Sequence, residues 1–274
     1  MSLTVGTGPF GPRNSGTFNF DTGVLKEHTL YLQESPKRVR ATFNGETVVD
    51  SRRAKLLHET KHLPVYYFPE EDVRTDLLVE SDRTTHCPFK GDASYRSVKV
   101  GDKVAEDAVW GYPEPVGSSP IPADHVALHW HAMEHWFEEE EEVFVHARDP
   151  YTRIDVLNSS RHVRILVDGE VVAETNRPKL LLETGLPVRY YVPPEDVRTD
   201  LLVPSDTWTQ CPYKGDASYW SAEVGGGRVE DVAWSYPEPR RDAQRVVDHL
   251  CFLGERVELE VDGENLGSST SYVR

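Results

Sequence analysis

The feature that most constrains this 274-residue chain is that it repeats itself. The string CPFKGDASY at Cys87 returns as CPYKGDASY at Cys211, an offset of 124 residues. The same offset, without a gap, lays Val39 on Val163, EDVRTDLLV at Glu71 on the identical string at Glu195, and His125 on His249. Trp110, Tyr112 and Pro113 fall on Trp234, Tyr236 and Pro237, and more than half of the pairs from Val39 to Pro115 are identical. A match of that extent requires an internal duplication, so the chain reads as two copies of one domain rather than one large fold. The expected division is an N-terminal extension over 1–23, a first domain over 24–133, an acidic linker over 134–147 and a second domain over 148–274. Each copy is long enough to bury a core without disulfide staples.

Local patterning within each copy is mainly β. Val39–Phe43 and Thr47–Asp50 flank Asn44-Gly45, while Val163–Val167 and Val171–Glu174 flank Asp168-Gly169; both dipeptides suit the positive φ angles of a type I′ hairpin turn. Val257–Val261 runs into Asp262-Gly263 in the same way. Further strands are expected over Tyr95–Val100, Tyr219–Val224, Val126–Trp130 and Leu250–Leu253. Ala54–Thr60 and Pro178–Thr184 place leucines at helical spacing, with Gly185 as a stop, and predict short helices. The runs Glu70–Val73 (after Pro69) and Pro194–Val197 predict a single helical turn with carboxylates at its positive end. Met133–Phe144 has two readings: Met133, Trp136 and Phe137 share a helical face, yet the duplication lays them on the strand-like Val257–Val261. The expectation is a hinge-adjacent segment whose Glu138–Glu142 run is solvated, the alternative being a surface for a basic partner.

The PEDV element, the CPxKGxASYW block and the Trp-Tyr-Pro stretch occur in that order in both copies. In this the chain resembles the domain-of-unknown-function family DUF427, over most of its length from about Val24 to Leu266. The resemblance implies a small β fold, β-tent-like or β-barrel-like, similar to the β-tent of methionine sulfoxide reductase B and of the ligand-binding domain of cereblon, with no activity attached. The family has also carried a nucleotidyltransferase-like label. A transferase resembling polymerase β needs a Gly-Ser turn followed closely by paired metal-binding aspartates. Here Gly117-Ser118 leads into a Pro-rich stretch and Asp155 has no aspartate two residues away, so that label is not supported. The first copy departs from the block at Arg96, where the second has Trp220. The second also has Trp208 and Tyr213 in place of Thr84 and Phe89, which makes it the better candidate for a working site.

With 46 acidic against 30 basic residues the formal net charge is −16, which repels a phosphate backbone and argues against nucleic acid as a partner. Cys87, Cys211 and Cys251 are too few and scattered for a disulfide framework or a zinc site, which fits a reducing compartment. The Gly- and Pro-rich start lacks the apolar run of a signal peptide, and no stretch has the length of a membrane span. A cytoplasmic protein with no membrane partner is expected, and a monomer whose two repeats form a pseudo-two-fold pair.

Three constellations carry candidate chemistry. Cys211 and Lys214, with Cys87 and Lys90 in the first copy, place a thiol and an ammonium three residues apart in a turn. A nearby cation raises thiolate content, and His249 is a candidate base; the structural reading is a buried cysteine beside a solvated lysine. Lys214, Asp216 and Tyr219 with Arg198 and Asp200, matched by Lys90, Asp92, Tyr95, Arg74 and Asp76, would surround an anionic ligand, or supply a general acid and base if burial lowers the lysine's pKa. The alternative is an ion-pair network closing a turn. Trp234 and Tyr236, matched by Trp110 and Tyr112, together with Trp220 and Trp208, would line an aromatic pocket or pack in the core; a regular strand sends Tyr219 and Trp220 to opposite faces. His129 and His131 share a strand face but lack a third ligand, so neither a metal nor another cofactor is expected, and Cys251 reads as a core residue. The leading functional expectation is a small-molecule pocket in each copy. The alternatives are an enzyme using Cys211 or Lys214 and a protein-interaction scaffold.

Overall fold

The computed structural model describes residues 3–4, 6, 8–11, 16–17, 19 and 28–268, so the expected extension over 1–23 and the boundary at Val24 fall largely outside the described residues. The chain divides into two compact units, Met1–Pro150 and Tyr151–Arg274. The first carries β1 (Leu30–Glu34), β2 (Val39–Phe43), β3 (Glu46–Ser51), β4 (Lys55–Glu59), β5 (Val65–Pro69), β6 (Leu78–Cys87), β7 (Gly91–Val100), β8 (Lys103–Pro115), β9 (His125–Leu128), β10 (His135–Glu138) and β11 (Glu141–Glu142). The second carries β12 (Ile154–Asn158), β13 (Val163–Val167), β14 (Glu170–Thr175), β15 (Lys179–Glu183), β16 (Arg189–Val192), β17 (Leu202–Cys211), β18 (Gly215–Val224), β19 (Gly227–Ser235), β20 (Leu250–Phe252), β21 (Val257–Val261) and β22 (Glu264–Ser268).

Both units are mainly β and have the same topology. A seven-stranded antiparallel sheet, in the order β1-β4-β5-β9-β8-β7-β6, is accompanied by a four-stranded sheet in the order β11-β10-β2-β3. The second unit repeats this as β12-β15-β16-β20-β19-β18-β17 and β14-β13-β21-β22. Neither pair closes into a barrel. The hairpin turns behave as their dipeptides require, with φ of +48° and +78° at Asn44-Gly45, +50° and +81° at Asp168-Gly169, and +53° and +85° at Asp262-Gly263.

The central strands of the first unit's seven-stranded sheet are buried on both faces, and this explains the helix misread over 54–60. In the first unit, Leu56, Tyr66, Phe68, Val126 and Leu128 enter one core cluster, while their neighbours Leu57, Tyr67 and Ala127 enter another. A strand covered on both sides shows a continuous apolar run instead of an alternating one, as at Leu56-Leu57; Leu180-Leu181-Leu182 imitates helical spacing with an exposed leucine, Leu182, on its open face. The segments 54–60 and 178–184 therefore contain β4 and β15, not helices. The PEDV elements are single 3-10 turns at Glu70–Asp72 and Pro194–Asp196.

The segment 134–147 is not a linker. His135–Glu138 forms β10 and pairs with β2, as Val257–Val261 pairs with β13 in the other unit. Glu139, at φ +55°, takes the turn position that Asp262 holds in the second repeat. Glu138 is buried: it accepts from Tyr66 Oη at 2.9 Å and from the Arg148 backbone N–H at 3.1 Å, and pairs with Lys37. Only the rest of the acidic run faces solvent, as a hairpin tip.

Candidate functional site

The site lies on the face of the second unit's large sheet that turns away from the four-stranded sheet. On that face, Leu181, Tyr191, Ala217, Tyr236 and Cys251 cluster with Ala243 and Val246 of a 3-10 segment, Arg241–Val246. Beside them is a cavity of about 250 Å³ lined by Leu181, Glu183, Leu186, Pro187, Arg189, Tyr191, Lys214, Tyr219, Asp231, Trp234, Tyr236 and Leu253. Pleat alternation supplies most of the set: residues two apart on β15 (Leu181, Glu183) and on β16 (Arg189, Tyr191) face the same side. Tyr219 and Trp220 diverge as the alternation demands, Tyr219 to this face and Trp220 to the core between the sheets.

Two backbone irregularities place the polar groups. Lys214 sits in the β17–β18 turn ahead of Gly215, whose φ is +103°. An added Cβ there would stand 3.0 Å from the Glu238 carbonyl oxygen, because the chain after Tyr236 passes alongside and the Arg240 backbone N–H donates to the Lys214 carbonyl at 2.9 Å. The glycine of the CPxKG motif is thus required by both torsion and space. Asp231 lies where the β18–β19 register shifts, at φ +52°, a conformation that aspartate tolerates better than most residues.

The Lys214 ammonium pairs with Glu183, both side chains being nearly buried. Burial alone would lower the lysine pKa, but the Glu183 carboxylate and the Cys211 sulfur beside it outweigh burial and hold it above its ordinary value. Lys214 is therefore an ammonium at neutral pH, which overturns the expectation of a base created by burial. Trp234 Nε1 donates to Tyr191 Oη at 3.3 Å, and the Tyr219 hydroxyl lies 3.0 Å from Thr209 Oγ1. Burial pushes the Tyr191 and Tyr236 hydroxyls well above their ordinary pKa, so both stay neutral. The Arg189 guanidinium stands 6.0 Å from the Trp234 ring centroid.

The structure brings together Lys214, Tyr219, Trp234 and Tyr236 and leaves other expected residues outside. Arg198 and Asp200 close a bidentate pair with each other at 2.8 and 2.7 Å on the exposed surface, as Arg74 and Asp76 do at 2.7 Å. That pairing is the structural alternative for these four, and it removes them from the site. Asp216 is exposed beside Gln210 across the hairpin, and Asp92 bonds His86 Nδ1 at 2.6 Å. Trp208 is 64% exposed and does not line the cavity. His249 Nδ1 is engaged 2.9 Å from the Val247 carbonyl oxygen. Cys251 is a core residue, its thiol pushed up to about 12 by burial. Sequence reasoning missed Glu183, Arg189, Tyr191 and Asp231.

In the first unit the equivalent groups are engaged by their own neighbours. Glu59 holds Lys90 and also His28, whose Nε2 is 2.9 Å away and whose ring stacks on Phe89 at 3.9 Å. His129 lies tilted against Trp110 with ring centroids 4.3 Å apart, and the Arg83 guanidinium lies 4.7 Å over the Tyr95 ring. Tyr112 is buried, with Lys90 Nζ 6.0 Å from its ring centroid, and Cys87 is half-buried. Among the described residues no three His, Cys, Asp or Glu side chains converge as a metal site, and no helix is long and apolar enough to cross a membrane.

Residues 31–139 and 155–263 each match the family described as a domain of unknown function, DUF427. The chain belongs to the DUF427 family. Each matched span holds most of one sheet pair, so this is a tandem DUF427 protein with one match to the family in each repeat. No curated protein matches the chain.

Proposed function

We propose that the second DUF427 repeat binds a small molecule in the cavity bounded by Lys214, Tyr219, Trp234 and Tyr236. The observation that carries this reading is the convergence of aromatic walls with a few fixed charges, Glu183–Lys214 and Arg189, around a space of ligand size. A second cavity of similar volume, lined by Ile165, Phe252, Leu259 and Leu266 among others, shares Arg189 but lacks the Glu183–Lys214 pair. The first repeat serves as the closed companion, its corresponding rings covered by His129 and Arg83. The test is a thermal-shift panel of metabolite classes on the wild type and on Trp234→Ala. A compound that raises the melting temperature of the wild type and not of a folded Trp234→Ala supports the pocket; equal shifts in both would move binding elsewhere.

A second reading is favoured by one contact, that of the Lys214 ammonium with the half-buried Cys211 sulfur. Thiol chemistry at Cys211 requires fast alkylation by iodoacetamide at neutral pH that Lys214→Met slows. Alkylation no faster than that of an unfolded cysteine leaves Cys211 a structural residue.

A further inference from the structure

The two repeats differ at three positions around one carboxylate, and the difference describes an occupant. In the first repeat both oxygens of Asp107 are partnered: Ser81 Oγ donates to one at 2.5 Å, and Arg83 Nη1 lies 3.2 Å from the other. The same guanidinium covers the face of Tyr95, and His129 packs against Trp110 alongside. In the second repeat Thr207 replaces Arg83 and Leu253 replaces His129. Asp231, the counterpart of Asp107, accepts from Thr207 Oγ1 at 2.8 Å, but its other oxygen, Oδ1, is buried with no hydrogen-bond partner among the described residues. A buried carboxylate oxygen without a donor is costly; Ser205, the counterpart of Ser81, accepts from the Thr207 backbone N–H at 3.1 Å and does not bond that oxygen. The third change places Arg189 where the first repeat has Val65. Among the described residues no carboxylate lies within 4.0 Å of Arg189, although it lines the same cavity as Asp231.

We propose that the second repeat's cavity takes a small zwitterion, with a guanidinium or ammonium group on Asp231 and the Tyr219 ring where Arg83 lies in the first repeat, and a carboxylate on Arg189. This rests on the pocket reading above and specifies its ligand. A cation over an aromatic face and against a carboxylate gains from both, and a planar guanidinium matches the carboxylate fork. The ligand's own anion answers the positive charge of Arg189, which would otherwise repel the cation. The first repeat carries its guanidinium covalently and is saturated, so one ligand binds per chain.

Isothermal titration of the full chain with L-arginine, agmatine and valerate tests this. L-arginine is expected to bind at one site per chain, with agmatine weaker because it lacks the carboxylate, and valerate weakest. Asp231→Asn keeps a residue that tolerates the positive φ and is expected to weaken L-arginine and agmatine at least tenfold. Arg189→Ala is expected to weaken L-arginine while leaving agmatine within about twofold. Thr207→Arg rebuilds the first repeat's occupant and is expected to abolish binding while raising the melting temperature. Unaltered L-arginine affinity in Thr207→Arg or Asp231→Asn overturns the proposal. So does silence from both guanidinium probes while the thermal-shift panel finds another ligand that depends on Trp234, in which case the pocket stands and the zwitterion falls. Silence from the probes and from the whole panel overturns both.

Discussion

The Lys214–Glu183 pair is 13% and 7% exposed at its two side chains, so neither charge has water to fall back on. Lys214→Met should leave Glu183 buried without a counter-ion and lower stability by about 3–5 kcal/mol, measured by urea denaturation; a loss under about 1 kcal/mol would show the pair to be solvated. Buried pairs of this kind contribute to the pH dependence of stability. The folded pKa of Lys214 is raised, so its contribution is complete below the ordinary lysine value of 10.5 and is lost as pH rises through the folded value above it. Glu59 runs the other way. Burial would raise its pKa, but Lys90 and His28 override burial and lower it, so its contribution is complete above the ordinary value of 4.5 and is lost as pH falls through the folded value. Stability measured against pH should therefore decline at both extremes, and Glu59→Gln should make the acid limb shallower while leaving the alkaline limb in place.

At the scale of the elements, the β17–β18 hairpin sets the site, and its glycine is the position least able to change. Gly215→Ala forces a left-handed φ on a residue with a Cβ and drives that Cβ against the Glu238 carbonyl, which should cost roughly 1–3 kcal/mol by denaturation. Gly169→Ala, at φ +81° but with open space around the added Cβ, should cost less. These hairpins were legible in the sequence because their turn dipeptides state the torsions they need. β4 and β15 were not, since apolar residues on both faces, buried in β4 and including the exposed Leu182 in β15, erase the alternation that marks a strand. Glu183 was missed for that reason, lying at the end of a strand read as helix. Lys214, Tyr219, Trp234 and Tyr236 stood out because the duplication repeats them. Arg189, Thr207 and Leu253 did not, because comparing the copies highlights what they share, and the features that open the second site are what they do not share.

At the scale of the whole molecule, duplication has given two units whose core clusters each draw only on their own half of the chain. Residues 151–274 expressed alone should therefore fold, giving a β-type circular dichroism spectrum and one cooperative urea transition; a featureless unfolding curve would mean that the second core is incomplete. With separate cores, one copy can keep its rings covered by Arg83 and His129 while the other presents an open cavity, and neither change has to be accommodated in the other unit. The central claim, an open site in the second repeat and a filled one in the first, is tested most directly by comparing native and denatured masses of the wild type, Trp234→Ala and Trp110→Ala after incubation with saturating ligand. The expected result is one added molecule per chain that is released on denaturation, absent in Trp234→Ala and retained in Trp110→Ala. An added mass that survives in Trp234→Ala, or that disappears only in Trp110→Ala, would contradict it.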